Sequence, residues 1–190
     1  MNSKKYRFSF TAASLMTEEM IKMAEELVDQ KIGLKDLTPS VLKKQRNTTS
    51  KREFSELVMR FKTLSSREIE ALTTMSIENQ RLMCFISCVR SYNFIRDFME
   101  EVVIENVRLL KTTIDDLDYT VFFNRKALEH SDVEKLADTT KKKVKQVVFK
   151  MLEQAGLIDN INSRVITIPF ITPQLENIVS PEERKYILQK

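Results

Sequence analysis

Glycine and proline are scarce, at 2 and 4 of 190 residues. Tight turns draw on these two residue types, so a sheet-rich fold with many turns is excluded and long helices are left. Tryptophan is absent, histidine occurs once (His130) and cysteine twice. Cys84 and Cys88 sit four apart in the apolar run Leu82 to Val89, on one face of a helix. With a single histidine they cannot complete the four ligands of a structural zinc site. They read as buried thiols of a protein kept in a reducing cytoplasm.

Catalytic signatures are missing too. There is no phosphate-cradling glycine loop, no dinucleotide turn and no paired Cys/His spacing. His130 lies directly before Ser131, where a helix-terminal role accounts for it. The expectation is a binding protein, not an enzyme, with no cofactor and no metal. Long apolar runs are also lacking. The longest charge-free stretch, Val165 to Leu175, is broken by Pro169 and Pro173 and falls short of the roughly 20 residues that span a bilayer. The N-terminus shows no apolar signal segment. A cytoplasmic chain with no membrane partner is expected.

What is abundant is charge of both signs: 31 Lys and Arg against 27 Asp and Glu, for a net charge of +4. A balance this close says little about partners, but the local distribution says more. Lys43, Lys44, Arg46, Lys51, Arg52, Arg60 and Lys62 cluster against only Glu53 and Glu56. A second cluster, Lys141, Lys142, Lys143, Lys145 and Lys150, lies on a stretch whose Val144, Val147, Val148 and Met151 recur at helical spacing. Thr139 is the expected N-cap. Lysines near a helix start oppose the macrodipole by roughly 0.3–1 kcal/mol each, a cost that a phosphate backbone at the same end offsets. A solvated lysine face is the alternative.

The order of elements organises the chain into three parts. Residues 1–64 form a helical, helix-turn-helix-like part, onto which the alternate aromatics of an extended Tyr6 to Phe10 are expected to pack. Thr17 caps a helix that Gly33 ends, and a basic helix follows over about 49–63. Residues 65–112 are central hydrophobic helices. They are opened by a Ser65/Glu68 capping box and either break near Ser91 to Asn93 or run on as one long element. Residues 113–190 begin with Asp115, Asp116 and Asp118 at a helix start, where negative charge suits the dipole. A short helix from a Ser131/Glu134 capping box to Ala137 then leads through a tight turn into the lysine helix, which Gly156 stops. Alternation around Asp159 to Ser163 predicts a small β-hairpin wing near 157–168, with Arg164 at its tip, and a terminal helix covers about 181–189. Helix, turn, basic helix and hairpin in that order read as a winged helix. The fold class is mainly α, a compact multi-helix protein, and the three parts are compatible with one compact unit. An internal echo joins its ends: Thr49 to Phe61 overlays Thr139 to Met151 in hydroxyl cap, basic pair, four apolar positions and a later basic residue (Arg60 against Lys150).

The chain resembles the BrxA family of bacterial BREX (bacteriophage exclusion) defence systems. The resemblance rests on Phe10-Thr11-Ala12-Ala13-Ser14-Leu15, on Arg52 and Phe54 leading to Phe61-Lys62-Thr63-Leu64, and on Gln80-Arg81-Leu82. It continues with Thr140-Lys141-Lys142 and Leu152-Glu153-Gln154-Ala155-Gly156-Leu157-Ile158. It implies a NusB-like helical fold and a role beside a DNA methyltransferase, an ATPase and other BREX proteins, with DNA as a ligand. From charge and helix placement, the DNA-binding set is Lys43, Lys44, Arg46, Lys51, Arg52, Lys141, Lys142, Lys143, Lys145 and Arg164. Gln45, Arg46, Asn47, Arg52 and Gln146 are placed to reach base edges. The competing readings are a protein–protein adaptor of the BREX complex that makes no DNA contact, and RNA binding.

Overall fold

A computed structural model describes residues 5–42 and 47–189, with side chains from 51 onward in the second stretch. The chain enters through a 3-10 turn, Ser9–Ala12, and then runs through α1 (Thr17–Asp29), a second 3-10 turn (Pro39–Leu42), α2 (Asn47–Phe61), α3 (Ser66–Leu72) and α4 (Ile77–Ser91). Next come α5 (Asn93–Phe98), a π-helical turn (Met99–Val103) and α6 (Ile104–Arg108). The last third holds α7 (Asp116–Glu129), α8 (Ser131–Glu134), α9 (Asp138–Ala155), α10 (Pro173–Ile178), α11 (Pro181–Arg184) and a closing 3-10 turn, Lys185–Ile187.

Helix α4 is the hub, because every residue from Leu82 to Val89 is buried. A helix apolar all round has to be covered on all sides, and here α1, α2, α3 and α9 cover it. Cys84 and Cys88 lie within it as free, buried thiols. The helix breaks at Tyr92, whose extended backbone separates α4 from α5. One hydrophobic cluster runs from Tyr6 to Ile187 and draws on all three stretches of the chain.

The N-terminal segment is a strap across this hub. The Tyr6 ring meets Phe94 edge-on at 5.5 Å, Phe8 meets Phe94 at 5.1 Å, and Phe10 meets Tyr92 at 5.3 Å. The alternate aromatics pack inward, but onto Tyr92 and Phe94 at the start of α5 in the central part rather than onto the N-terminal part. Further along, Arg60 of α2 is wholly buried and donates to the carbonyl oxygens of Ala13 (2.6 Å) and Leu15 (2.9 Å). Gln154 of α9 accepts the Leu15 N–H at 3.0 Å. The two echoed helices therefore grip the same peptide from two sides.

Several expected details are corrected. No hairpin wing forms; two isolated antiparallel bridges stand in its place, Thr113 with Val165 and Ile158 with Ile166. Residues 164–167 lie between the other two segments: Ile166 N–H donates to Thr112 O, and Thr167 N–H donates to Leu157 O. The turn is closed by its own side chains. Asp159 Oδ1 accepts the Val165 N–H, and Asn160 Oδ1 accepts from Asn162 and Ser163. Side-chain bonds of this kind compete with a strand ladder, and Pro169 has no N–H with which to extend one.

Helix starts are shifted as well. Thr139 is inside the first turn of α9, which begins at Asp138 behind an extended Ala137. Thr17 opens α1 without capping it, because buried Met16 occupies the preceding position at φ +56°. Ser131 does not cap α8, which ends at Glu134. His130 is the single residue between α7 and α8, closing the first and opening the second. Helix α1 stops at Asp29 with Lys31 at φ +52°, while Gly33 N–H bonds Asp36 in the following turn. The Ser65/Glu68 box and the Gly156 stop are present as expected. Gly156, at φ +75°, donates to Glu153 O, and Leu157 N–H reaches Leu152 O, the 5→2 and 6→1 pair of a Schellman ending.

Candidate nucleic-acid interface

Helix α9 turns Val144, Val147, Val148, Met151 and Leu152 into the core. That rotation fixes where its cations point. Lys142 and Lys143 are exposed at the N-terminal end. Lys142 makes no hydrogen bond or ion pair among the described residues, and Lys143 reaches only the Gln146 amide at 3.1 Å. Lys141, half-buried, lies 3.5 Å from Asp138. Asp138, in the first turn, offsets part of the clash between lysines and dipole.

Lys145 and Arg164 behave differently. They come from two elements and meet on one oxygen, Asp116 Oδ1, with Lys145 Nζ at 2.8 Å and Arg164 Nη1 at 2.5 Å. Each cation also lies over a ring: Lys145 is 5.5 Å from the Tyr119 centroid, and Arg164 is 4.2 Å from that of Phe149. Their side chains are 32% and 17% exposed, whereas the Asp116 side chain is 70% exposed. Hydrogen bonds from Lys145 and then Arg164 hold the Asp116 carboxyl down at about 2. Arg164 takes φ +52°, an uncommon conformation for a residue with a Cβ. The bridges to residues 112–114 and 157–159 hold that backbone in place. Arg164 is therefore a stacked, bonded group at the base of its turn rather than a free wing tip.

The second basic set is only partly described. Lys51 and Arg52 are exposed on the first half of α2, while Lys43, Lys44 and Arg46 fall outside the described residues. Helices α2 and α9 share α4 and the Ser9–Ala12 turn as packing partners. The echo fails at its last basic position, since Arg60 is fully buried and Lys150 is exposed and paired with Glu153. Arg60 thus leaves the surface set. Asp116 enters it; the sequence marks Asp116 as a helix-start acid, but its two cationic partners come from 29 and 48 residues away. Position along the chain carries no signal for that convergence.

A cleft of about 740 Å³ lies elsewhere, between the starts of α1 and α4 and the end of α9. Glu18, Glu19, Glu53 and Glu153 line it against one cation, Arg81. Four carboxylates repel a phosphate, so this cleft is not the candidate. Among the described residues no group of His, Cys, Asp or Glu is arranged to hold a metal ion, and no helix is long and apolar enough to cross a membrane.

Comparisons with known proteins bear on nearly the whole length. The BrxA family model matches residues 4–182. A Bacillus cereus protein named "BREX protein BrxA" is 29% identical over 118 residues, which is 61% of this chain and 59% of that protein. The match thus spans under two thirds of that relative. An Escherichia coli protein of the same name is 20% identical over 182 residues, covering 94% of this chain and 85% of that one. In three dimensions the fold matches a crystal structure described as an uncharacterized protein from Magnetospirillum magneticum. The TM-score is 0.76 at 16% identity, with 97% and 96% of the two chains covered.

Proposed function

The chain belongs to the BrxA family, and from that premise we propose that it serves a BREX phage-defence system as a non-enzymatic component that binds double-stranded DNA. The name shared by its relatives in two species supports the BREX assignment. The DNA reading is carried by one observation, the exposed lysine end of α9 beside the converging pair Lys145 and Arg164. A short helix, a turn and a longer basic helix support placing α9 against the duplex in the manner of a helix-turn-helix. Lys43, Lys44, Arg46, Lys51 and Arg52 form the second contact set. Lysines outnumber base-reading groups, so the contacts are chiefly to phosphates. With about four to six phosphates neutralised, the log–log salt slope is about −4 to −5.

The test is a duplex titration at several salt concentrations. It compares the parent with Lys141→Ala/Lys142→Ala/Lys143→Ala and with Lys51→Ala/Arg52→Ala. Weaker binding and a shallower slope in each variant support two contact sets. An effect in only one variant leaves the other helix as scaffold. A flat salt response, or stronger binding to single-stranded RNA, removes the duplex reading.

An adaptor role is the second reading, favoured by the exposed apolar side chains Leu117, Val121 and Leu128 along α7 with Leu109 and Leu110 after α6. The partners are then other BREX proteins, such as the methyltransferase or the ATPase. Co-purification that survives nuclease digestion separates this reading from a tether through DNA.

A further inference from the structure

We propose that Lys145 and Arg164 form a phosphodiester-binding subsite of the interface, and that the Asp116 carboxylate occupies it as an internal stand-in when no nucleic acid is bound. The proposal rests on the DNA-binding reading and adds the site at which a backbone phosphate docks.

The geometry separates this pair from an ordinary surface ion pair. A lone exposed pair holds two flexible side chains in one geometry for little net gain. Here the two cations are already placed by other contacts. Arg164 is stacked on Phe149, with its Nε donating to Ile161 O, and Lys145 lies over Tyr119 on a rigid helix. Both heads aim at one point, and the group at that point is an oxygen of a largely exposed side chain. A carboxylate oxygen between two cations presents the charge and acceptor geometry of a phosphate oxygen. Lys141 and Lys142 lie one turn earlier on the same face as Lys145, since positions three and four apart are neighbours on a helix. The subsite thus continues the lysine surface. Asp116 is the first residue of α7, and its side chain can rotate into solvent without moving the helix. Arriving phosphate oxygens then take over the bonds from both cations, and the carboxylate is rehydrated.

Asp116→Asn tests this, with Glu134→Gln as a control. Glu134 is exposed on α8, and its substitution changes the net charge equally without touching the subsite. The expected result is that Asp116→Asn binds duplex roughly three- to tenfold tighter than the parent, with a salt slope steeper by about 1, while Glu134→Gln changes affinity less than about twofold. Inorganic phosphate, assayed by thermal shift, should raise the melting temperature of Asp116→Asn and leave that of the parent and of Glu134→Gln unchanged. Equal effects of the two substitutions on DNA affinity would mean a general charge effect and overturn the proposal. If no variant binds duplex yet phosphate stabilises Asp116→Asn selectively, the subsite stands and the duplex reading falls. If neither ligand distinguishes Asp116→Asn from the parent, the subsite falls. Should Asp116→Asn fail to fold, the parent decides by carboxyl NMR. In the DNA complex the Asp116 titration moves up from about 2 as its two cations are taken; an unchanged titration overturns the proposal.

Discussion

Arg60 donates to the carbonyl oxygen of Ala13 at 2.6 Å inside the core, 47 residues away along the chain. The same guanidinium donates to Leu15 O and to Tyr92 Oη, and Tyr92 in turn donates to Glu56, which also accepts from Ser9. A buried network of this kind is high-stakes, since each member left alone is costly.

Arg60→Met therefore strands the carbonyls of Ala13 and Leu15 and removes the donor to Tyr92 Oη. A loss of roughly 2–6 kcal/mol is expected, at about 1–3 kcal/mol for each buried carbonyl left unpaired. Arg60→Lys rescues little, because an ammonium cannot reproduce the fork that spans two carbonyls. Urea unfolding measures both variants. A loss under about 1 kcal/mol for Arg60→Met would show that water replaces the guanidinium.

A second, half-buried cluster sets the response to acid. Arg90 bonds Glu68 at 2.7 Å and Glu183 at 2.7 Å, and also donates to Thr63 O, which ties α3, α4 and α11 together. Burial pushes the Glu68 carboxyl up, but hydrogen bonds from Arg90 and Ser65 outweigh it, so the net shift is downward. Glu183 is lowered chiefly by its bonds from Arg90. A carboxyl lowered by folding adds stability above its unfolded value near 4.5, and that stability is lost as pH falls through the folded value. The chain should lose stability progressively below about pH 5. Arg90→Met should be less stable at pH 7, and its deficit relative to the parent should shrink toward pH 3. A deficit constant across that range would place the loss in packing instead.

Left-handed positions give a matched pair of substitutions. A Cβ at Gly156 meets nothing within 4 Å, so Gly156→Ala suffers only from its φ of +75°, a cost of roughly 1 kcal/mol. Lys31→Gly relieves the same strain at φ +52° and should stabilise by up to about 1 kcal/mol. Thermal melts of the two variants should move in opposite directions. A drop for both would show that Lys31 contributes through its side chain.

The contrast between these two positions shows what the sequence makes legible. Gly156 follows a strongly periodic helix, so periodicity and glycine agree on where α9 stops. At Gly33 the glycine is present but α1 has already ended at Asp29, and the glycine lies in the following turn with its N–H bonded to Asp36. Helix α4 and its buried thiols were readable from apolar density, which left open whether the helix breaks at Tyr92 or runs on. Arg60 was not, because a basic residue at helical spacing looks the same whether it faces water or a strap of backbone carbonyls. The Asp116 junction was hidden for a related reason: it joins residues 29 and 48 positions apart, and no local pattern reports such a meeting.

The thiols of α4 can report how the strap opens. Cys84 and Cys88 have no exposed surface, and burial pushes both thiols well up from their ordinary range. They are electrostatically close to Arg60, which holds the strap, while Gln154 holds it from the side of α9 at the Leu15 N–H. A thiol reacts only as exposed thiolate, so modification by a disulfide reagent requires opening, and its rate measures the free energy of that opening. In the native chain the rate should match global unfolding. Gln154→Ala removes one bond of the strap, at a global cost of about 1–2 kcal/mol. If the strap lifts as a unit of its own, this variant should speed thiol modification by more than its loss of global stability accounts for, and the excess should disappear in Gln154→Glu, which keeps an acceptor for Leu15 N–H. If modification tracks global stability in all three proteins, the strap and the helix beneath it open together. Helices α2 and α9 would then be coupled through a single cooperative core.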